Sequence, residues 1–244
     1  MSERRFSPEL FERYAAGGHA EIEGWIGAPG VIDMMRAVGA IQDELGVTGP
    51  LCEIGVHHGR FFLVLYLLLR SGETAVAVDL FGETAIVPDG SGRGDAEILL
   101  ANVDRHAGDR SQVQIVRGDT TRLKPEDLSR VAGAPFRLFS VDGGHSAAVT
   151  HHDLELAEAT LAPGGIIIVD DYFNHAWPGV SEGVNRHFLR GNTRLSPVVI
   201  GSNKILFAFA DVASVYRERL RERLASQFLW QNRLFEHDVL VMQS

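Results

Sequence analysis

The amino-acid sequence predicts an α/β fold, a mainly parallel sheet with helices on both faces, and three observations carry that expectation. From residue 51 onward, short apolar and β-branched runs alternate with helix-length segments. The last two runs are separated only by Ser202-Asn203, too short for a parallel crossover, so that pair forms an antiparallel hairpin. The 244 residues, 45% hydrophobic and 23% charged with 26 Gly and 9 Pro, have an ordinary globular profile and enough apolar material for a large core.

Taken in order, three helical segments come first, at 8–16, 20–25 and 31–45; in the last, Ile32, Met35, Val38 and Ile41 recur at roughly helical spacing. They are expected to cap the sheet or the site. Strands follow at 51–55, 75–79, 113–117, 137–142, 165–170, 198–201 and 204–210. The helices between them are expected at 61–71, 95–107, 126–132, 147–161 and 183–189. Beyond the hairpin, 212–235 sets Val215, Leu220, Leu224 and Phe228 against a run of Arg and Glu, the pattern of an amphipathic helix. Its apolar face could pack on its own domain or on a second subunit. With no repeat and no linker, residues 1–244 read as one domain: a helical cap (1–50), a core (51–210) and a helical tail (211–244).

The net charge of −9 and a pI of about 5.5 disfavour nonspecific nucleic-acid binding. The longest apolar stretch, 61–69, is far short of the ~20 residues that span a bilayer, so no membrane association is expected. Nothing at the N-terminus resembles a secretory signal, and the one cysteine, Cys52, reads as a packed core thiol; a cytoplasmic location is expected.

Chemistry concentrates at the strand ends. Glu53-Ile54-Gly55-Val56-His57-His58-Gly59 takes a strand into a glycine turn and a helix, a place where backbone can approach a ligand, although a structural turn would look the same. Asp79 closes the next strand, placed to accept hydrogen bonds from ribose hydroxyls or else to cap a helix. Asp119-Thr120 ends the third strand, where an adenine edge could be read. Asp142 follows the fourth strand and Asp170-Asp171 the fifth, three carboxylates converging on one mouth. Oxygen donors of this kind suit Mg²⁺, and clustering them without a cation is costly; two turns with a helix cap are the alternative. His145, three residues after Asp142, could take a proton from a bound hydroxyl, and no lysine is near either acidic strand end in the sequence. His57 and His58 read as lining the turn.

The stretches EIGVHHGRFF, VAVDLF, DGSGRGD, VDGGHS and LAPGGIIIVDDYFNHAWPGV resemble the class I S-adenosylmethionine-dependent O-methyltransferases, in particular the Mg²⁺-dependent sugar O-methyltransferases. The resemblance runs over residues 51–210. It implies a Rossmann-like fold, seven strands with a C-terminal antiparallel hairpin. It implies that Glu53, Gly55 and Gly59 hold the methionine end of the cofactor, Asp79 its ribose, and Asp119 or Thr120 its adenine. Asp142, Asp170 and Asp171 match the metal carboxylates, and His145 falls at the general base. Catechol enzymes usually carry Asn second in the acidic pair and Lys as base, so Asp171 and His145 favour a sugar hydroxyl, a mannoside being one guess. The expected partner is a small-molecule or oligosaccharide acceptor, with a possible homodimer through the C-terminal helix. Tyr172 and Trp177 are candidates to stack on a sugar face, or are core aromatics; the glycine-rich loop 88–95 could close over the site, or be an ordinary surface loop. Methylation of a catechol or phenol, and ligand binding without turnover, remain the alternative functions.

Overall fold

The computed structural model describes residues 3–28, 30–82 and 92–243. Helices α1 (Pro8–Ala16) and α2 (Gly30–Leu45) precede the sheet, with a single 3₁₀ turn, Gly18–Glu21, where a helix over 20–25 was expected. The core then alternates β1 (Leu51–Ile54), α3 (Phe62–Tyr66), β2 (Ala75–Asp79), α4 (Ala96–Ala107), β3 (Val113–Arg117), α5 (Pro125–Ala132), β4 (Phe136–Val141), α6 (Ala147–Thr160), β5 (Leu161–Val169) and α7 (Pro178–Leu189). Strands β6 (Leu195–Gly201) and β7 (Lys204–Phe209) form the expected hairpin, followed by α8 (Ala210–Arg223), β8 (Phe228–Leu234) and β9 (His237–Met242).

All seven expected strands are present, in the order β3-β2-β1-β4-β5-β7-β6, and β9 and β8 extend the sheet to nine. Strands β1 to β5 run parallel, β7 enters antiparallel to β5, and β9 pairs parallel with β6. Alternate side chains feed two cores. Leu51, Ala77, Leu138 and Ile168 face α1 to α4 and α8; Cys52, Val78, Phe139 and Val169 face α5 to α7.

Two elements depart from expectation. Helix α3 is short because Arg70 leaves the helical path: its backbone bridges to Arg4 and its guanidinium joins Asp43 and Glu73. The tail is not one helix over 212–235. Helix α8 stops at Arg223, and the remainder is the β8–β9 hairpin, turning on Phe235 and Glu236 at φ 51° and 63°. Those dihedrals describe a type I′ turn, usually signalled by Asn-Gly. Here Phe235 stacks on Phe188 with centroids 4.0 Å apart, a tertiary contact that offsets the local strain. Helix α8 buries Ala213, Tyr216 and Leu220, Tyr216 donates to the Gly164 carbonyl (2.6 Å), and Arg219 pairs with Glu44. These three residues are therefore covered within the chain, the first of the two packings expected of this segment.

At the N-terminal ends of the strands, Arg137 is fully buried. It is held by the Glu73 carboxylate (2.8 Å), the Gln42 side-chain oxygen (2.8 Å) and the Leu68 carbonyl (2.8 Å). The C-terminal ends carry the site.

Candidate active site

Strands β1 and β4 are neighbours, and their ends meet tightly. Asp142 N–H donates to the Ile54 carbonyl (2.9 Å), while Gly55, at φ 84°, lies so close that a Cβ there would overlap the Asp142 carbonyl oxygen. Only glycine fits. The turn continues through Val56, whose carbonyl accepts from Gly59 N–H (2.9 Å), and Gly59 faces Leu99 of α4.

Glu53 is buried at the end of β1. Ser140 Oγ donates to its Oε1 (3.2 Å), and Oε2 is buried without a partner among the described residues. Burial pushes its carboxyl up to about 8, an effect that Lys204 and Ser140 only partly oppose. Asp79 accepts from His57 N–H (2.8 Å) and Phe81 N–H (3.0 Å), one bond to each oxygen. A carboxylate has about four acceptor positions, so capacity for two hydroxyls remains. Gly94 packs directly against this carboxylate and Gly92 against the His57 ring; Gly90 and the rest of the loop up to residue 91 lie outside the described residues.

Asp119 also caps a turn. Its Oδ1 accepts from Thr121 N–H (2.9 Å) and Thr121 Oγ (2.7 Å), capping the 3₁₀ turn Thr120–Arg122, so half of the carboxylate is spent on backbone. Thr120 is buried, its carbonyl accepting from His152 Nε2 (3.0 Å). Beneath it Asp153 is fully buried, and burial, partly opposed by the Thr120 side chain, raises its carboxyl to about 6. Nothing in the sequence reading singled it out.

The acidic mouth comes together, with one member engaged by a group the sequence did not suggest. Lys204, at the start of β7, is fully buried and ion-paired to Asp170 Oδ2, its Nζ 4.3 Å from the Phe61 ring centroid. Burial works against its charge, but Asp170, Asp142 and Glu53 outweigh that and hold the ammonium above its usual range. The inference from sequence that no lysine stands near the acidic ends is thus corrected: the β6–β7 hairpin delivers one from 34 residues downstream of Asp170. Asp142 is pushed well up, by burial first and then by Asp170.

Asp171 sits at φ 60° and accepts from Asn174 Nδ2 (2.9 Å), Asn203 Nδ2 (2.8 Å) and His145 Nε2 (3.2 Å). Burial alone would raise its carboxyl, yet those three partners leave it below the usual range. Donor atoms of Asp142, His145 and Asp171 lie within 4.8 Å of one another. Asp142 and Asp171 therefore fit a divalent cation that takes one or two carboxylates and fills its other positions with water or substrate oxygens, whereas Asp170 is committed to Lys204.

The aromatic expectations change. Tyr172 turns inward, 5% exposed, with its hydroxyl donating to Asn185 Oδ1 (3.0 Å), so its ring cannot stack on a substrate. The left-handed turn at Asp171 rotates the chain, and Phe173 is the exposed ring instead. Trp177 stacks on His145, centroids 4.1 Å apart and 15° between planes, so one of its faces is already covered.

The methyltransferase-domain family matches residues 52–172, which span the strand ends just described up to Tyr172. No curated protein matches the sequence. Among solved structures, the O-methyltransferase NovP aligns at a TM-score of 0.59 and 18% identity, covering 73% of this chain and 80% of its own. TomG of Streptomyces achromogenes, an O-methyltransferase of tomaymycin synthesis solved with S-adenosylmethionine, gives 0.57 and 20%, covering 83% and 90%. CalS11, a TDP-rhamnose 3′-O-methyltransferase of calicheamicin biosynthesis, gives 0.52 and 20%, covering 84% and 96%. No helix among the described residues is long and apolar enough to cross a membrane. With this strand order, and with the methyltransferase-domain match lying across the mouth of the sheet, the chain has the class I methyltransferase fold.

Proposed function

We propose that the chain is an O-methyltransferase that moves a methyl group from S-adenosylmethionine to a hydroxyl of a sugar or sugar-containing small molecule, working as one domain. The observation that carries this reading is the backbone contact between Gly55 and Asp142, which sets a donor-side turn against an acceptor-side cluster. On the donor side, the unpartnered Oε2 of Glu53 suits the ammonium of the methionine end, and the spare acceptor positions of Asp79 suit the ribose hydroxyls.

On the acceptor side, Asp171 orients the His145 ring through Nε2, and Trp177 packs against its face. The neutral imidazole held in this way is the base that takes the hydroxyl proton. The oxygen's electron pair then forms the new C–O bond as the C–S bond breaks, leaving S-adenosylhomocysteine. A divalent cation held by Asp142 and Asp171 would supply positive charge that lowers the hydroxyl pKa. Exposed Phe173, not Tyr172, is the ring offered to a sugar face. The sugar assignment draws support from the similarity to CalS11, a TDP-rhamnose 3′-O-methyltransferase, and from the Asp171–His145 pair standing where a catechol enzyme would present Asn and Lys.

Transfer of labelled methyl to a panel of nucleotide sugars, glycosides and catechols, with and without chelator, tests the reading. Label in a sugar product supports it. Label only in catechols replaces the acceptor, and cofactor binding without any product would make the chain a ligand-binding domain.

A further inference from the structure

A second cluster of ligand-type side chains lies apart from the acidic mouth, where the N-terminal segment crosses the glycine turn. The donor atoms of Glu23, His57 and His58 lie within 4.8 Å of one another. Adjacent residues ordinarily point apart, but His57 adopts φ 52°, its N–H tied to Asp79 Oδ2, and this brings the two imidazoles together with centroids 3.9 Å apart. A non-glycine residue in that conformation is strained, and here the strain aligns two ring nitrogens.

The cluster is poorly satisfied as a set of hydrogen bonds. His58 Nδ1 and Glu23 Oε2 are 3.6 Å apart, beyond a sound hydrogen bond, and the His57 ring, its Nδ1 buried, meets the Glu23 backbone rather than its carboxylate. The Glu23 side chain is 77% exposed while His58 is 10% exposed, so two fixed nitrogens sit inside and one adjustable carboxylate reaches over them from the surface. Two imidazoles and one carboxylate form a donor set suited to a borderline divalent ion and ill suited to Mg²⁺, which prefers oxygen throughout. Three protein ligands leave a fourth, solvent-facing position.

We propose that Glu23, His57 and His58 form a site for a divalent transition-metal ion of the Zn²⁺ type, which pins the N-terminal segment onto the glycine turn. The ion joins Glu23 to a turn 34 residues on in sequence, adding to the hydrogen bond from Arg60 Nη1 to the Gly24 carbonyl (2.5 Å) that already ties these segments. The site is separate from the carboxylates at the β4 and β5 ends and does not depend on the acceptor.

Calorimetric titration of ZnCl₂ into the full, tag-free, chelator-stripped chain tests this, with Asp142→Asn as the control for the acidic mouth. The expected result is a Zn²⁺ equivalent that persists in Asp142→Asn, with affinity at least tenfold weaker in Glu23→Gln and in His57→Ala. Co²⁺ in place of Zn²⁺ in Asp142→Asn should give the intense visible d–d absorption of a four-coordinate ion, which His57→Ala diminishes. Glu23→Gln changes an exposed side chain and so reports on folded protein even if a histidine variant misfolds. No binding, binding that is unchanged in Glu23→Gln, or loss of all Zn²⁺ binding in Asp142→Asn would each overturn the proposal.

Discussion

Glu53 and Lys204 show how single buried charges shape the site. Glu53 titrates near 8 in the folded chain against about 4.5 when exposed, so its contribution to stability is complete below about pH 4.5 and is lost as pH rises toward 8. Glu53→Gln should remove that dependence. Urea unfolding of the cofactor-free protein should show the variant more stable than wild type at pH 8 and nearly equal to it at pH 5; a parallel loss at both values would contradict the assignment. If Glu53 receives the cofactor ammonium, binding near pH 7 should also release a proton, read as a buffer-dependent calorimetric heat. Lys204→Met should cost about 3–5 kcal/mol, the usual penalty for stranding one half of a buried ion pair, here Asp170. Adding Asp170→Asn should recover much of that loss in the same denaturation assay, and failure to recover would mean that Lys204 serves Glu53 and Asp142 instead.

At the scale of elements, the β8–β9 hairpin makes the clearest prediction. Strand β9 buries Val239, Leu240 and Met242 against the sheet, and each such side chain is worth roughly 1.5–3 kcal/mol. A chain ending after Arg223 should therefore melt well below wild type and expose the edge of β6 to aggregation, measured by thermal unfolding and light scattering. Unchanged melting would show that the hairpin is an ornament to the sheet. This segment also marks where reading the sequence fails. Strands β1 to β7 are apparent because each is a short apolar run bounded by turn residues, and Asp95 announces α4 by capping Glu97 and Ile98 N–H. The tail hid its turn, since Phe235 and Glu236 adopt left-handed dihedrals supported by the stacking of Phe235 on Phe188 and by Arg233 Nη2 donating to the Glu236 carbonyl (2.7 Å). The same kind of tertiary dependence hid Lys204. One faint signal existed: the chain has just two lysines among its 23 basic residues, and one stands at the mouth of an apolar strand. Asp142, Asp171 and His145 are legible because they lie just past the ends of two successive strands; the inward turn of Tyr172 is not, because it follows from the φ of Asp171.

Over the whole molecule, the two ends of the sheet divide their work. The N-terminal end holds Arg137 with Glu73, Gln42 and Leu68, roughly 17 Å along β4 from Asp142 at about 3.3 Å per residue. Arg137→Met should lower stability by about 3–5 kcal/mol, by leaving Glu73 buried without its full partner, yet leave cofactor affinity in the surviving folded fraction within a factor of two. Urea midpoints and calorimetric affinity measured on the same preparation would reveal any coupling between the two ends. At the other end, the meeting of Gly55 with the Asp142 carbonyl acts as a fixed joint. Main chain, not side chain, gauges the span between the departing sulfur and the receiving oxygen, so that span is indifferent to what grows on the surrounding loops. Acceptor preference can then drift through Phe173, Trp177 and their neighbours while the line of attack keeps its length. Enlarging Gly55 by one methyl should do the reverse, slowing transfer to every acceptor by a similar factor and leaving the order of preference among them intact.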